Sequence, residues 1–453
     1  MMRPAASAAM VLVLAATAYA DPRTWTVGGA GADFPLIAPA IAAASIGDRI
    51  EVRRGVYRED LVVDKRLTMV GEGWPTLFGT GVGSVITIVA PGCELRGFII
   101  EGSGIGETNE MDAAVQIRSN ANRIADNRIR RAFYGIVVAD ARHNEITGNE
   151  IAGLRDRAFG QRGDGIYVYR GPENFIARNR ISGERDGIYF QYAPRGRAYD
   201  NIVTDSRYGL HDMFSDDAVI AGNTFADSVL GANIMNSRRI RVERNRIARN
   251  RGVPGVGITL KDCDDSAVGD NVIVENVRGL LVDGSSSNTF RGNAFSENDT
   301  AVTLFSSAET NRFGGNAFAG NWSDVVLNGR DSMTRWSIDG RGNYWSRYRG
   351  FDFDGDGIGD RPHPILGAFE QLEGANAATR IFLQSPAATG LELARRLTGT
   401  APTDAVDDRP LVRTPVQTIP VTASKTTSHA GALSLIAVFA AFALVAGRRG
   451  DPC

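Results

Sequence analysis

Apolar and polar positions alternate along the chain in short runs, and the runs recur at a nearly fixed spacing. Asn stands at Asn127, Asn149, Asn179, Asn201, Asn223, Asn245, Asn271, Asn293 and Asn316, with gaps of 22, 30, 22, 22, 22, 26, 22 and 23 residues. Two residues after these Asn come Ile129, Ile151, Ile181, Val203, Phe225, Ile247, Ile273, Phe295 and Phe318, and the positions three before are apolar as well. Fourteen residues before the seven Asn from Asn149 to Asn293 stand Gly135, Gly165, Gly187, Gly209, Gly231, Gly257 and Gly279. A period near 22 is too short for two helices and their turns. The recurrent apolar positions are mostly β-branched or aromatic, and alternating runs such as Ile188-Tyr189-Phe190-Gln191 follow each Gly, which is the signature of short strands. Each repeat therefore reads as one coil of a solenoid. Coils stacked at about 4.8 Å put like positions above one another, so that inward Ile and Val build one core and the Asn a hydrogen-bonded ladder.

The predicted fold class is all-β, a right-handed parallel β-helix over residues 21–346 with coils of about 22 residues. The longer coils carry insertions, at 154–162 and around Val253-Pro254, of the kind that gathers on a binding face. Residues 36–45 read as a small amphipathic helix capping the first coil, where an uncovered edge would pair with other chains. Asn343-Tyr344-Trp345-Ser346 closes the repeats, and residues 347–414 read as a C-terminal cap and partner-docking extension. Within it, 370–397 has room for at most two short helices, broken at Pro386. A Pro/Thr-rich stretch, 401–428, leads through a linker at 415–429 to residues 430–447, which hold no charge and precede Arg448-Arg449. That pattern predicts a transmembrane anchor with its arginines on the cytoplasmic side; a cleaved sorting tail is the alternative. Arg3, an apolar run and Ala18-Tyr19-Ala20 mark residues 1–20 as a signal peptide. The body is thus expected in the periplasm, attached to the inner membrane.

Charge excludes one trade. With 50 Lys+Arg against 52 Asp+Glu, a net charge of −2 and no basic run interleaved with aromatics, the chain has no field for a phosphate backbone, so no nucleic-acid partner is expected. Cys93, Cys263 and Cys453 form neither a CxxC pair nor an even disulfide framework, and the first two read as buried thiols. The four His show no metal-type spacing that would make a structural zinc site.

Two constellations carry chemistry. In the strand after each Gly the inward residues are Ile166/Val168, Ile188/Phe190, Leu210/Asp212, Ala232/Ile234 and Ile258/Leu260, and the outward ones Tyr167/Tyr169, Tyr189/Gln191, His211/Met213, Asn233/Met235 and Thr259/Lys261. Met213 and Met235 then share one outward position on successive coils, with His211 beside Met213, and are expected to form an exposed, incomplete site. Thioether and imidazole suit Cu(I) rather than the oxygen-seeking Mg²⁺ or Ca²⁺; the alternative is that both Met pack under a loop or against a partner. Asp212 is a misfit among inward positions, where a carboxylate needs a buried partner or a bulge. The second constellation is Asp352, Asp354, Asp356 and Asp360 with Gly357, the opening of an EF-hand-type calcium loop whose twelfth position is His363 instead of Glu. It reads either as a Ca²⁺-stabilised turn or as a plain Asp/Gly turn, structural in both cases.

Gly47-Asp48-Arg49-Ile50-Glu51-Val52, Gly55-Val56-Tyr57, the coils, Tyr208-Gly209-Leu210-His211-Asp212-Met213-Phe214-Ser215, Asn343-Tyr344-Trp345-Ser346 and Asp354-Gly355-Asp356-Gly357-Ile358-Gly359-Asp360 together resemble the NosD family, periplasmic β-helix proteins of nitrous-oxide reductase maturation. The resemblance covers residues 47–410 and departs from the family's pattern at Asp212, where an aromatic is expected. It implies a non-enzymatic accessory of an ABC transporter with ATPase and membrane subunits. Together with a membrane-attached copper chaperone lipoprotein, that transporter would supply apo nitrous-oxide reductase with copper, or sulfur, for its copper-sulfide centre. The chain has no GxxxxGK[ST] loop of its own, so ATP hydrolysis would be a partner's. The competing class on the same fold is a polysaccharide lyase or epimerase, with Tyr167, Tyr169 and Tyr189 stacking sugars and Tyr208, His211 and Asp212 as acid/base groups. Against it stand outward columns without a carboxylate from Gly165 to Gly257, and a Met pair with no task in glycan chemistry.

Overall fold

A computed structural model of the protein describes residues 21–106, 111–329, 333–366 and 405–415, with single positions at 385, 386, 390 and 394. All of them fall in one compact unit that ends at Val416. The signal-peptide stretch, nearly all of 370–397, and the 415–429 linker and 430–447 anchor apart from residue 415 lie outside the described residues. No helix among the described residues is long and apolar enough to cross a membrane.

The repeat becomes three parallel sheets of 13, 12 and 13 strands, each strand bonded to its counterpart one coil away. This is the β-helix the spacing predicts. Like pairs with like: Ile124 with Ile146, Ile146 with Ile176, and Ile129 with Ile151 and Ile151 with Ile181. Their side chains, and those of Phe225, Phe290 and Phe313, are sealed inside the coils. The Gly column has a steric cause. A Cβ on Gly187, Gly209 or Gly231 would stand 2.7, 2.5 or 2.5 Å from the carbonyl oxygen of the next Gly in the column, so only hydrogen fits there.

The Asn column forms the expected ladder. Asn201 donates from both its backbone N and its Nδ2 to Asn223 Oδ1, each at 2.9 Å, and Asn223 does the same to Asn245. The series runs on to Asn343. Two further ladders run beside it, Asn122-Asn144-Asn174 and Ser206-Ser228-Asn250-Asn276-Asn298-Asn321. Together they satisfy turn backbone that would otherwise be buried unpaired.

Both ends of the stack are covered. The helix Ile37–Ala43, shorter than the expected span, buries Ile37, Ala40 and Ile41 against the first coil. Its residue before the helix is Leu36, which cannot cap, and Glu59 takes over by accepting the N–H groups of Ile37 and Ala38, both at 2.9 Å. At the far end Phe295, Phe318 and Trp345 stack in a row, and Asp407 Oδ2 accepts from Trp345 Nε1 at 2.9 Å and Asn343 N at 2.7 Å. The segment around Val406–Asp407 thereby closes the last coil. Cys93 and Cys263 are buried and free, and burial pushes the Cys263 thiol up to about 12.

Candidate functional site

Five strands of the twelve-stranded sheet carry the face singled out above: Ile166–Tyr169, Asp186–Gln191, Tyr208–Met213, Leu230–Met235 and Val256–Lys261. Their register sets Tyr167, Tyr189, His211, Asn233 and Thr259 in one outward column and Tyr169, Gln191, Met213, Met235 and Lys261 in the other. Met213 and Met235 are therefore neighbours across adjacent coils. Both are half-buried. Met213 packs against the aromatic cluster of Tyr167 and Tyr189, while the Met235 sulfur accepts Asn233 Nδ2 at 3.3 Å.

His211 corrects the expectation of an exposed ligand. It lies on the outer surface of the sheet but is only 8% exposed, because rings fill the space around it. Tyr167 stacks on Tyr189 at 4.9 Å, Tyr189 on His211 at 4.3 Å with planes 6° apart, and Tyr208 meets His211 edge-on at 5.2 Å. Aromatic stacking on an outer face buries as effectively as a core does. Behind the imidazole lies Asp186. Its Oδ2 is 3.0 Å from His211 Nδ1, and Arg207 grips the same carboxylate through Nε at 2.9 Å and Nη2 at 2.8 Å. Burial pushes Asp186 up, but the hydrogen bonds from His211 and Arg207 outweigh it and hold the carboxyl below its ordinary range. An ionised carboxylate only accepts, so Nδ1 carries the proton, and in the neutral imidazole Nε2 then carries the lone pair. That Nε2 is buried and has no hydrogen-bond partner.

One coil earlier Asp164 and Arg185 repeat the clamp, at 2.9 and 2.8 Å. Burial and the neighbouring Asp186 charge push Asp164 up to about 6. Glu184, sealed beneath the 154–162 insertion, is raised well above the carboxylate range by its burial. Arg162 ties the insertion down through the carbonyls of Arg155, Arg157 and Gly183. Sequence reasoning missed Asp164, Asp186, Arg185 and Arg207. The alternation was read from the residue after each Gly, whereas these stand before it. The signal was present in Asp164-Gly165 and Asp186-Gly187 and in Arg185 and Arg207, 22 residues apart.

Asp212 points inward as predicted and is fully buried in register with Phe190 and Ile234. It has a partner: Ser237 Oγ donates to Oδ1 at 2.8 Å. Burial pushes its carboxyl up to about 8, so it occupies the core neutral rather than through a bulge.

Asp352, Asp354 and Asp356 bring one oxygen each within 4.8 Å of one another. The same carboxylates cap their own turn: Asp352 accepts from Gly355 N at 2.7 Å and Gly357 N at 3.0 Å, and Asp356 from Ile358 N at 2.7 Å. Asp360 stands outside the trio and accepts from Phe353 N at 2.6 Å. His363 faces the rings of Trp345 and Tyr348.

Fold and face together define a β-solenoid protein whose polar chemistry is concentrated on the outer surface of one sheet. The profile of the family described as "Periplasmic copper-binding protein (NosD)" matches residues 152–350, the part that holds this face. "Probable ABC transporter binding protein NosD" of Pseudomonas aeruginosa is 30% identical over 386 residues, 81% of this chain and 89% of that protein. The protein of the same name from Stutzerimonas stutzeri is 27% identical over 391 residues, 82% and 88% of the two chains. The chain belongs to the NosD family. Among solved structures, alginate lyase AlyF-OU02 in complex with G6 matches with a TM-score of 0.51 and 13% identity over 73% of this chain and 89% of that one. That likeness is one of fold alone.

Proposed function

We propose that this protein is a periplasmic accessory of an ABC transporter that passes copper, as Cu(I), toward apo nitrous-oxide reductase for assembly of its copper-sulfide centre. His211, Met213 and Met235 hold the ion in transit. The observation that carries this reading is His211 Nε2, a buried lone pair without a partner on the same strand as Met213. One imidazole and two thioethers are the donors Cu(I) prefers. The names of the relatives supply the transporter, and the family description supplies copper and the periplasm. A sheet face supplies its three donors from one side and cannot enclose a metal, so a partner completes the shell: the chaperone lipoprotein on loading, the reductase on delivery. The chain performs no bond chemistry in this role, and ATP is spent by the transporter's ATPase at its membrane subunits. The trio Asp352, Asp354 and Asp356, with Asp360 nearby, serves as a calcium-stabilised turn of the C-terminal cap.

The test replaces His211, Met213 and Met235 by Ala, singly and together, and measures circular dichroism and the copper content of co-expressed reductase. Met213 and Met235 are half-buried, so the Met pair variant keeps its β signal while the reductase lacks its copper-sulfide centre. A fully loaded reductase from the triple variant overturns the reading. The His211–Asp186 pair beside stacked Tyr rings also favours a second reading, acid–base work in a polysaccharide lyase or epimerase. Incubation with polyuronates separates the two: unsaturated or epimerised product, lost in His211→Ala, supports the enzyme.

A further inference from the structure

The outer face buries two carboxylates where an exposed sheet surface needs none, and they are not equivalent. Asp164 has both oxygens on Arg185 and makes no hydrogen bond to Tyr189, the ring on the next coil. Asp186 has the same clamp from Arg207 and, in addition, His211 Nδ1 on Oδ2. Burying a charged pair gains little stability by itself, since desolvation offsets the attraction. The Asp164–Arg185 pair shows what such a clamp does structurally: it ties the start of one coil to the next. What Asp186 adds is a direction for the imidazole.

We infer that Asp186, held by Arg207, is a positioning residue that fixes His211 as the Nδ1–H tautomer and presents Nε2 as the donor. Three contacts leave the ring one orientation. Arg207 prevents the carboxylate from turning, Asp186 accepts the hydrogen bond from Nδ1–H, and Tyr189 at 4.3 Å with Tyr208 edge-on at 5.2 Å fixes the plane. A flipped ring would set a C–H against the carboxylate and leave buried Asp186 Oδ2 with Arg207 Nη2 as its one remaining side-chain donor. A carboxylate behind an imidazole also strengthens the far nitrogen as a donor and removes the need to select a tautomer at the moment of binding. The consequence for copper rests on the reading of His211 as a ligand; the tautomer itself does not.

The experiment uses the full-length mature protein with ¹⁵N-labelled histidine rings, four in the sequence, assigned by His211→Ala. In the metal-free wild type at pH 8 the His211 ring resonances are those of an Nδ1–H imidazole. In Asp186→Leu the Nε2–H form becomes populated, and Cu(I) affinity, read by competition with a chromogenic Cu(I) chelator, falls by roughly tenfold or more. Asp164→Leu removes the same kind of clamp one coil earlier and serves as the internal control: it lowers the melting temperature while the tautomer and the Cu(I) affinity stay as in wild type. A wild-type His211 in the Nε2–H form overturns the inference without any variant, which covers the case of Asp186→Leu failing to fold. Equal loss of affinity in the Asp164 and Asp186 variants overturns it too, since the role would then be structural. If His211→Ala leaves Cu(I) affinity untouched while the tautomer still depends on Asp186, the positioning role stands and the copper reading falls.

Discussion

Asn223→Ala tests whether the Asn ladder holds the coils together. Asn223 is 1% exposed at the middle of the stack. Its Oδ1 accepts two bonds from Asn201, the backbone N and Nδ2, both at 2.9 Å, and its Nδ2 donates to Ala198 O at 2.8 Å and Asn245 Oδ1 at 3.0 Å. Alanine leaves two buried hydrogens on Asn201 without an acceptor, the backbone N–H and the Nδ2 hydrogen that is not bonded to Ile176 O. At about 1–3 kcal/mol for each orphaned buried group, the loss comes to about 4 kcal/mol. The two acceptors lose less, because Asn245 Oδ1 keeps the backbone N–H of Asn223 at 2.9 Å. Asn120→Ala is the control: that side chain is exposed and accepts one bond, from Arg142 N, so its removal costs well under about 1 kcal/mol. Urea denaturation of the mature protein followed by circular dichroism, with proteolysis mapping where the stack opens, measures both. A loss of less than about 1 kcal/mol for Asn223→Ala, with the cleavage pattern unchanged, would refute the reasoning and leave the apolar columns as the sole source of cohesion.

Two further outcomes are expected. Asp354→Asn with Asp356→Asn lowers the melting temperature and removes any Ca²⁺ dependence of it; wild-type melting curves that coincide in chelator and in Ca²⁺ take calcium out of the turn. Asp324 sits buried in Ser323–Asn328, the last strand of the twelve-stranded sheet, and burial pushes its carboxyl above the ordinary 3.8. The native state therefore keeps a proton that the unfolded chain releases, and the stability this proton confers is lost as pH climbs from about 4 toward the native value. Asp324→Asn should melt with a shallower decline than wild type as pH rises from about 4, and an identical decline would remove Asp324 from the pH response.

The solenoid was legible because its physics repeats: every Ile176, Ile181 or Asn179 meets a counterpart one coil on, so a single residue type at a fixed period reports a contact. The ladder from Ser206 to Asn321 was not legible in the same way, since Ser206, Ser228 and Asn250 perform one task with two residue types. The alternation also placed Met213 beside Met235, as the strand register has it. It missed the burial of His211, because alternation assigns a side chain to a face without saying what else stands on that face. Three stacked rings from successive coils, Tyr134, Tyr167 and Tyr189, run up to His211 and close off that side of it, and their packing is a property of three dimensions. Asp212 shows the opposite limit: its direction followed from the pattern, but its protonation follows from the depth of burial, which outweighs the hydrogen bond from Ser237.

The sheet that carries the face also acts as a ruler. Tyr208–Met213 is the seventh of its twelve strands counted from Leu61–Val63. At about 4.8 Å per coil, roughly 29 Å of stacked coils lie on one side of it and roughly 24 Å on the other. A protein seated on either terminal cap therefore stands more than about 20 Å from His211 and cannot touch it. On the proposed function, cargo would arrive and leave broadside, from a partner that leans along the flank of the stack. Adding or deleting a whole coil away from the face would change that standoff in steps of about 4.8 Å while leaving the donors untouched. Reach and chemistry are thus adjustable independently in this architecture.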